Sequence, residues 1–156
     1  MDARAHERHM RRAVEVARGN LDAPFGTVIV DQQTGKILAE RLNDAHENPI
    51  LHGEIDAILR LAGAHPDVDW TRLVLYTTAE PCPMCSGAIL WCGIPRVVSG
   101  TSIGTLRRLG LPQIDLGCEE IARRASSSFG SLEITGRVLE KECDALFEAL
   151  VRRESG

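Results

Sequence analysis

His52-Gly53-Glu54 and, further along, Pro81-Cys82-Pro83-Met84-Cys85 constrain this chain more than any other feature. One imidazole, two thiols and one carboxylate must converge if the two segments act together. The 26 residues from 55 to 80 that separate them suffice for one helix, a connection and one strand. Such a path returns the chain to the same edge of a sheet, so two helix starts come side by side there. Cys82 and Cys85 are three apart and share a face if they occupy a first helical turn. Pro83 suits that turn, because its missing N–H would be unpaired there anyway. Three N/S ligands with an open fourth position make a catalytic zinc site, whereas structural sites use four protein ligands.

The rest of the chain supplies a matching scaffold. Residues 6–18 set Met10, Val14 and Ala17 at helical spacing, and Gly19 ends the run. Residues 25–30 and 36–41 read as two strands around the turn Asp31-Gln32-Gln33-Thr34-Gly35. Residues 43–50 are polar, contain Asn48-Pro49 and read as a loop. A helix is predicted over 54–62, a buried strand over 73–77, a helix over 84–91 and a strand over 96–99. A short irregular or helical piece lies between Gly104 and Gly110, and a helix is expected over 116–125. Ile134 begins a short strand or extended segment, and a last helix runs over 138–152. This alternation predicts an α/β fold with a mixed sheet, an antiparallel hairpin at one side and parallel strands after it.

Composition narrows the function classes. The 156 residues fit one domain over 1–156 with a real core, and 44% apolar with 26% charged content is ordinary for a globular protein. No apolar run is long enough to span a membrane. The charged start of the chain shows no secretory signal, so a cytoplasmic location is expected. Five cysteines, an odd number, argue against a disulfide framework and for metal or catalytic use. A net charge of −4 gives no basic stripe for a long nucleic acid. The arginine pairs 11–12, 107–108, 123–124 and 152–153 read as solvated surface pairs.

Helix N-termini carry partial positive charge, which lowers thiol pKa values and favours the thiolates zinc requires. Zinc held by His52, Cys82 and Cys85 lowers the pKa of a water toward about 7. Glu54 is then free of ligand duty and able to carry a proton from that water to a ring nitrogen and on to departing ammonia. Each piece also has a plainer reading. His52 alone would be a satisfied structural histidine, and Cys82-x-x-Cys85 alone a redox pair or half a structural zinc site. Trp91-Cys92-Gly93 is similar to a thioredoxin site, but Pro95 stands where that motif needs its second cysteine. Cys92, Cys118 and Cys143 are isolated and read as small core residues. The order H-x-E, then P-C-x-x-C, is the signature of zinc deaminases.

On these residues, with Pro24-Phe25-Gly26, Thr78 to Ile89, Trp91 and Arg96-Val97-Val98, the chain resembles the cytidine deaminase-like superfamily. The likeness covers the first two-thirds and points to the nucleobase and tRNA-adenosine branch. It implies a three-layer αβα sandwich around a five-stranded mixed sheet, with a homodimer or larger assembly. Pro24-Phe25-Gly26 and the Pro81–Trp91 stretch resemble bacterial guanine deaminases. Leu51-His52-Gly53-Glu54, with Gly where Ala is common, and Gly93-Ile94-Pro95-Arg96 resemble fungal cytosine deaminases. The Phe-Asp-Asp stretch of a guanine deaminase is missing, and residues 109–115 stand in its place.

The resemblance also implies substrate contacts. Asn43 matches a loop asparagine that hydrogen-bonds the base, or is a plain turn residue. Phe25 is a pocket or a core residue, and Trp91 walls the pocket or packs the sheet. Backbone N–H groups of Gly53 and Cys82 can meet the base and the tetrahedral oxygen. Glu80 orients the site, and Asp115, Phe129 and Phe147 are candidate specificity contacts. The implied activity is zinc-dependent hydrolytic deamination of a small nucleobase or nucleoside with a guanine-, cytosine- or triazine-like ring. A tRNA adenosine deaminase is the alternative, disfavoured by the acidic segment 139–148. A non-catalytic zinc or redox module is the third reading.

Overall fold

The computed structural model describes residues 2–156. Strand β1 (Gly26–Asp31) pairs antiparallel with β2 (Ile37–Leu42) through the tight turn at Gly35, whose φ of 71° suits a residue without Cβ. Strand β3 (Leu73–Ala79) lies antiparallel on the other side of β1. Strands β4 (Arg96–Thr101) and β5 (Glu133–Thr135) follow in parallel, giving the order β2-β1-β3-β4-β5. The expected five-stranded mixed sheet is therefore present, with its antiparallel hairpin at one edge. β3 is buried along its whole length because helices cover both of its faces, which explains its continuous apolar run.

Alternate side chains of the strands feed two cores. Val28, Val30, Val74, Tyr76 and Val98 pack against α1 (Ala3–Ala17) and α6 (Glu140–Ser155). Ile29, Leu75 and Val97 face α2 (Gly53–Ala64) and α3 (Pro83–Cys92). Helix α5 (Cys118–Phe129) packs outside α3, and the short α4 (Ile103–Arg108) leads into the loop that precedes it. The architecture is the expected three-layer αβα sandwich. Among the described residues no helix is long and apolar enough to cross a membrane.

Several boundaries differ from expectation, three of them for identifiable physical reasons. Helix α1 begins at Ala3, not near His6, because Asp2 caps it by accepting from Ala5 N–H at 2.9 Å. Helix α6 begins two residues later than expected, after a corner in which Arg137 and Leu139 hold φ of 60° and 50°. Helix α5 is displaced to 118–129 for a reason that lies outside its own sequence, described below.

Candidate active site

Helices α2 and α3 both start at the end of the sheet where β1 and β3 meet. His52 is the N-cap of α2 and Cys82 the N-cap of α3, each with extended backbone, and Pro83 opens α3. His52 makes no side-chain capping bond to α2, and the Cys82 thiol turns toward His52 and Cys85. His52 Nδ1 lies 3.5 Å from Cys82 Sγ and 3.6 Å from Cys85 Sγ, and the three ligand atoms sit within 4.8 Å of one another. Tetrahedral zinc with bonds of about 2.0–2.3 Å sets its ligand atoms roughly 3.5–3.8 Å apart, so this donor set fits the ion.

The electrostatics agree with thiolate chemistry. The Cys82 thiol is pulled down to about 4, chiefly by a hydrogen bond from Cys85 and then by His52. Cys85 moves upward through that same pairing and its burial. His52 is raised by its bond to Cys82.

Glu54 lies in the first turn of α2 and is only 4% exposed. Burial pushes its carboxyl upward, opposed by hydrogen bonds. Both protein hydroxyls that reach it converge on one oxygen. Thr77 Oγ1 lies 2.8 Å and Thr27 Oγ1 3.2 Å from Oε1. The β1–β3 pair thus supplies Thr27 and Thr77 from directly opposed positions to grip the carboxylate. The motif gives no hint of these two threonines, because only the β1–β3 register sets them opposite one another.

A cavity of about 480 Å³ opens over this group. His52, Glu54, Cys82, Phe25 and Asn43 are among the residues that line it. Asn43 Oδ1 accepts from Ala45 N–H at 3.0 Å, so the turn role and the pocket position coexist. Phe25 also stacks on buried Phe147, with ring centroids 5.0 Å apart, so it is both lining and core. The remaining wall is Leu111, Pro112, Gln113 and Ile114 from the α4–α5 loop, with Leu150 and Glu154 from this chain's own α6.

Other expected contacts stand elsewhere. Trp91 neither walls the cavity nor packs the sheet; it is 79% exposed on α3 and meets Phe129 edge-on at 4.8 Å. Gly53 does not line the cavity either. A Cβ there would lie 2.9 Å from Thr27 Oγ1 and 3.0 Å from the Phe25 carbonyl, so glycine permits close approach of α2 to β1. Asp115 pairs with Arg107 at the surface, Phe129 backs Trp91, and Phe147 sits behind Phe25. Cys118 and Cys143 are buried as expected, and Cys92 is half-buried against the second core.

Two helix starts presenting one imidazole and two sulfurs, beside a buried carboxylate held by hydroxyls, define a hydrolase of the zinc deaminase class. The cytidine and deoxycytidylate deaminase zinc-binding region matches residues 3–101, and the chain belongs to that family. A probable cytosine deaminase of Schizosaccharomyces pombe is 31% identical over 142 residues, spanning 86% of this chain and 85% of its own. A tRNA-specific adenosine deaminase of Buchnera aphidicola is 30% identical over 135 residues, spanning 85% and 78%. Among solved structures, guanine deaminase from Nitrosomonas europaea superposes with a TM-score of 0.78 over 94% of this chain and 84% of that one. At 22% identity this likeness speaks to fold alone. The enzyme class is hydrolytic deamination at a C–N bond; the relatives divide over the ring.

Proposed function

We propose that this chain deaminates a small free nucleobase or nucleoside, replacing a ring C–NH2 by C=O with one water and releasing ammonia. The observation that carries this reading is the wall of the cavity. Its charged lining residues besides His52 are all carboxylates: Asp22, Glu54, Glu80 and Glu154, with no lysine or arginine among them. A polyanionic tRNA needs basic groups at the mouth of its site, whereas a donor-rich heterocycle suits carboxylate acceptors. About 480 Å³ also lies within the usual range for small-ligand pockets of roughly 300–1,000 Å³.

In this reading His52 Nδ1 and the sulfurs of Cys82 and Cys85 hold zinc, which supplies Lewis-acid activation of water at neutral pH. Glu54, fixed at Oε1 by Thr27 and Thr77, uses its other oxygen to accept the attacking water's proton. It passes that proton to a ring nitrogen and assists loss of the amine. Asn43, whose carbonyl oxygen is engaged by the turn, offers its NH2 to a ring acceptor. Phe25 presents a ring face to the base.

Ammonia release measured on guanine, cytosine, adenine, isoguanine, their nucleosides and aminotriazines tests the reading. Turnover of at least one free ring or nucleoside is expected. Zinc-loaded protein that leaves the whole panel untouched yet deaminates a tRNA anticodon stem would overturn it.

A further inference from the structure

Glu80 sits between the end of β3 and the Pro81-Cys82 turn, and its carboxylate reaches two helices at once. Oε1 accepts from Ile103 N–H at 3.0 Å, the first residue of α4. Oε2 accepts from Cys118 N–H at 2.8 Å, the first residue of α5. Helix starts leave such N–H groups without intrahelical partners. The α5 N-cap is Gly117, which has no side chain to offer. A Cβ at Gly117 would lie 3.1 Å from Glu80 Oε2, so the missing side chain is also what lets the carboxylate in. The Glu80 N–H is itself fixed by the Thr101 carbonyl at 2.7 Å.

Residues 109–117, between the two capped helices, contain no helix or strand and supply Leu111, Pro112, Gln113 and Ile114 to the cavity. One carboxylate therefore ties the start of α4, which leads into this loop, and the loop's far root at the start of α5 to the turn that bears Cys82. The loop's other side-chain tie, Arg107 to Asp115 at 3.1 Å, is exposed and correspondingly weak. We infer that Glu80 is a positioning residue, which sets the substrate-facing loop at a fixed distance from the metal-binding turn and so controls which ring fits. This inference rests on the deaminase reading for the substrate but on geometry alone for the loop.

Two variants and two readouts test it. Glu80→Ala releases the start of α4 and the loop's root at α5; in Glu80→Gln the amide can accept only one of the two N–H groups. In Glu80→Ala, amide hydrogen exchange across 109–117 should rise by roughly tenfold or more while α3 stays protected. On whichever ring the wild type turns over, KM should rise by roughly tenfold with kcat within about threefold and zinc content unchanged. Selectivity among the panel rings should fall as well, with Glu80→Gln intermediate. Glu80→Ala/Gly117→Ser gives α5 a local N-cap. It should recover thermal stability without recovering KM, which separates positioning from helix capping. Unchanged exchange in the loop, or a KM restored by Gly117→Ser, would overturn the inference. So would zinc loss in step with the KM change. If the wild type turns over no ring, the deaminase reading fails while the exchange measurement still decides the role of Glu80.

Discussion

The Thr77 hydroxyl lies 2.8 Å from Glu54 Oε1 and 3.0 Å from the Ala79 carbonyl, and it has one proton to share between them. It stands on the central strand of the sheet, which is buried along its whole length, so the carboxylate is oriented from the core. Thr77→Val keeps the branched shape and removes the hydroxyl. Losing this bond at a buried site should cost about 1–3 kcal/mol in denaturant unfolding. We expect kcat to fall by roughly tenfold as Glu54 gains freedom, with zinc content intact. Full activity in Thr77→Val would remove the threonine from the mechanism.

Glu54→Gln preserves shape and hydrogen bonding to Thr27 but cannot shuttle a proton. Activity should drop by roughly 10²–10⁴-fold while metal analysis still finds zinc. His52→Ala and Cys85→Ala should instead lose the metal and lower Tm, because metal binding is coupled to folding.

Gly53→Ala tests the close approach of α2 to β1. The new methyl meets Thr27 Oγ1 at 2.9 Å and the Phe25 carbonyl at 3.0 Å, so α2 must shift from β1. A loss of about 1–3 kcal/mol is expected. Thr27→Ala in the same chain should return part of it, since that removes the nearer clash. A double-mutant cycle with no coupling would show that the backbone contact alone sets the cost.

His9 is 4% exposed on α1, its Nε2 has no hydrogen-bond partner among the described residues, and its ring packs 5.1 Å from Tyr76. Burial, then Arg8 and His6, lower its pKa below 6.5. The unfolded chain therefore takes up the proton first as pH falls. Stability from neutral His9 is present above pH 6.5 and is lost as pH drops from 6.5 toward the folded-state value. Tm measured from pH 8 down to about 5 should decline less steeply in His9→Leu than in the wild type. Parallel curves would assign the acid sensitivity to other groups.

The convergence of His52, Cys82 and Cys85 beside Glu54 was readable from spacing because each position is set by local geometry, an N-cap or a first helical turn. Helix and strand order was equally legible, since the pattern survives in a chain whose β3 opens on the apolar run Leu73-Val74-Leu75 and whose α1 carries Met10, Val14 and Ala17 on one face. Trp91 shows where such reading stops. Its neighbourhood in sequence is the motif itself, yet α3 turns it outward to meet Phe129.

Thr27 and Thr77 face Glu54 only because β1 and β3 pair in one register, and Glu80 caps α5 across 38 positions of chain. Leu150 and Glu154 reach the cavity because α6 packs back over β4 and sets Phe147 against Phe25. None of these relations has a periodic or spacing signature, because each depends on the distance between elements that only packing sets. The reaction could be read along the chain because its chemistry sits within two short segments. The shape that chooses the ring is assembled from a loop, a strand end and a distant helix, and it exists only once the sheet has brought them together.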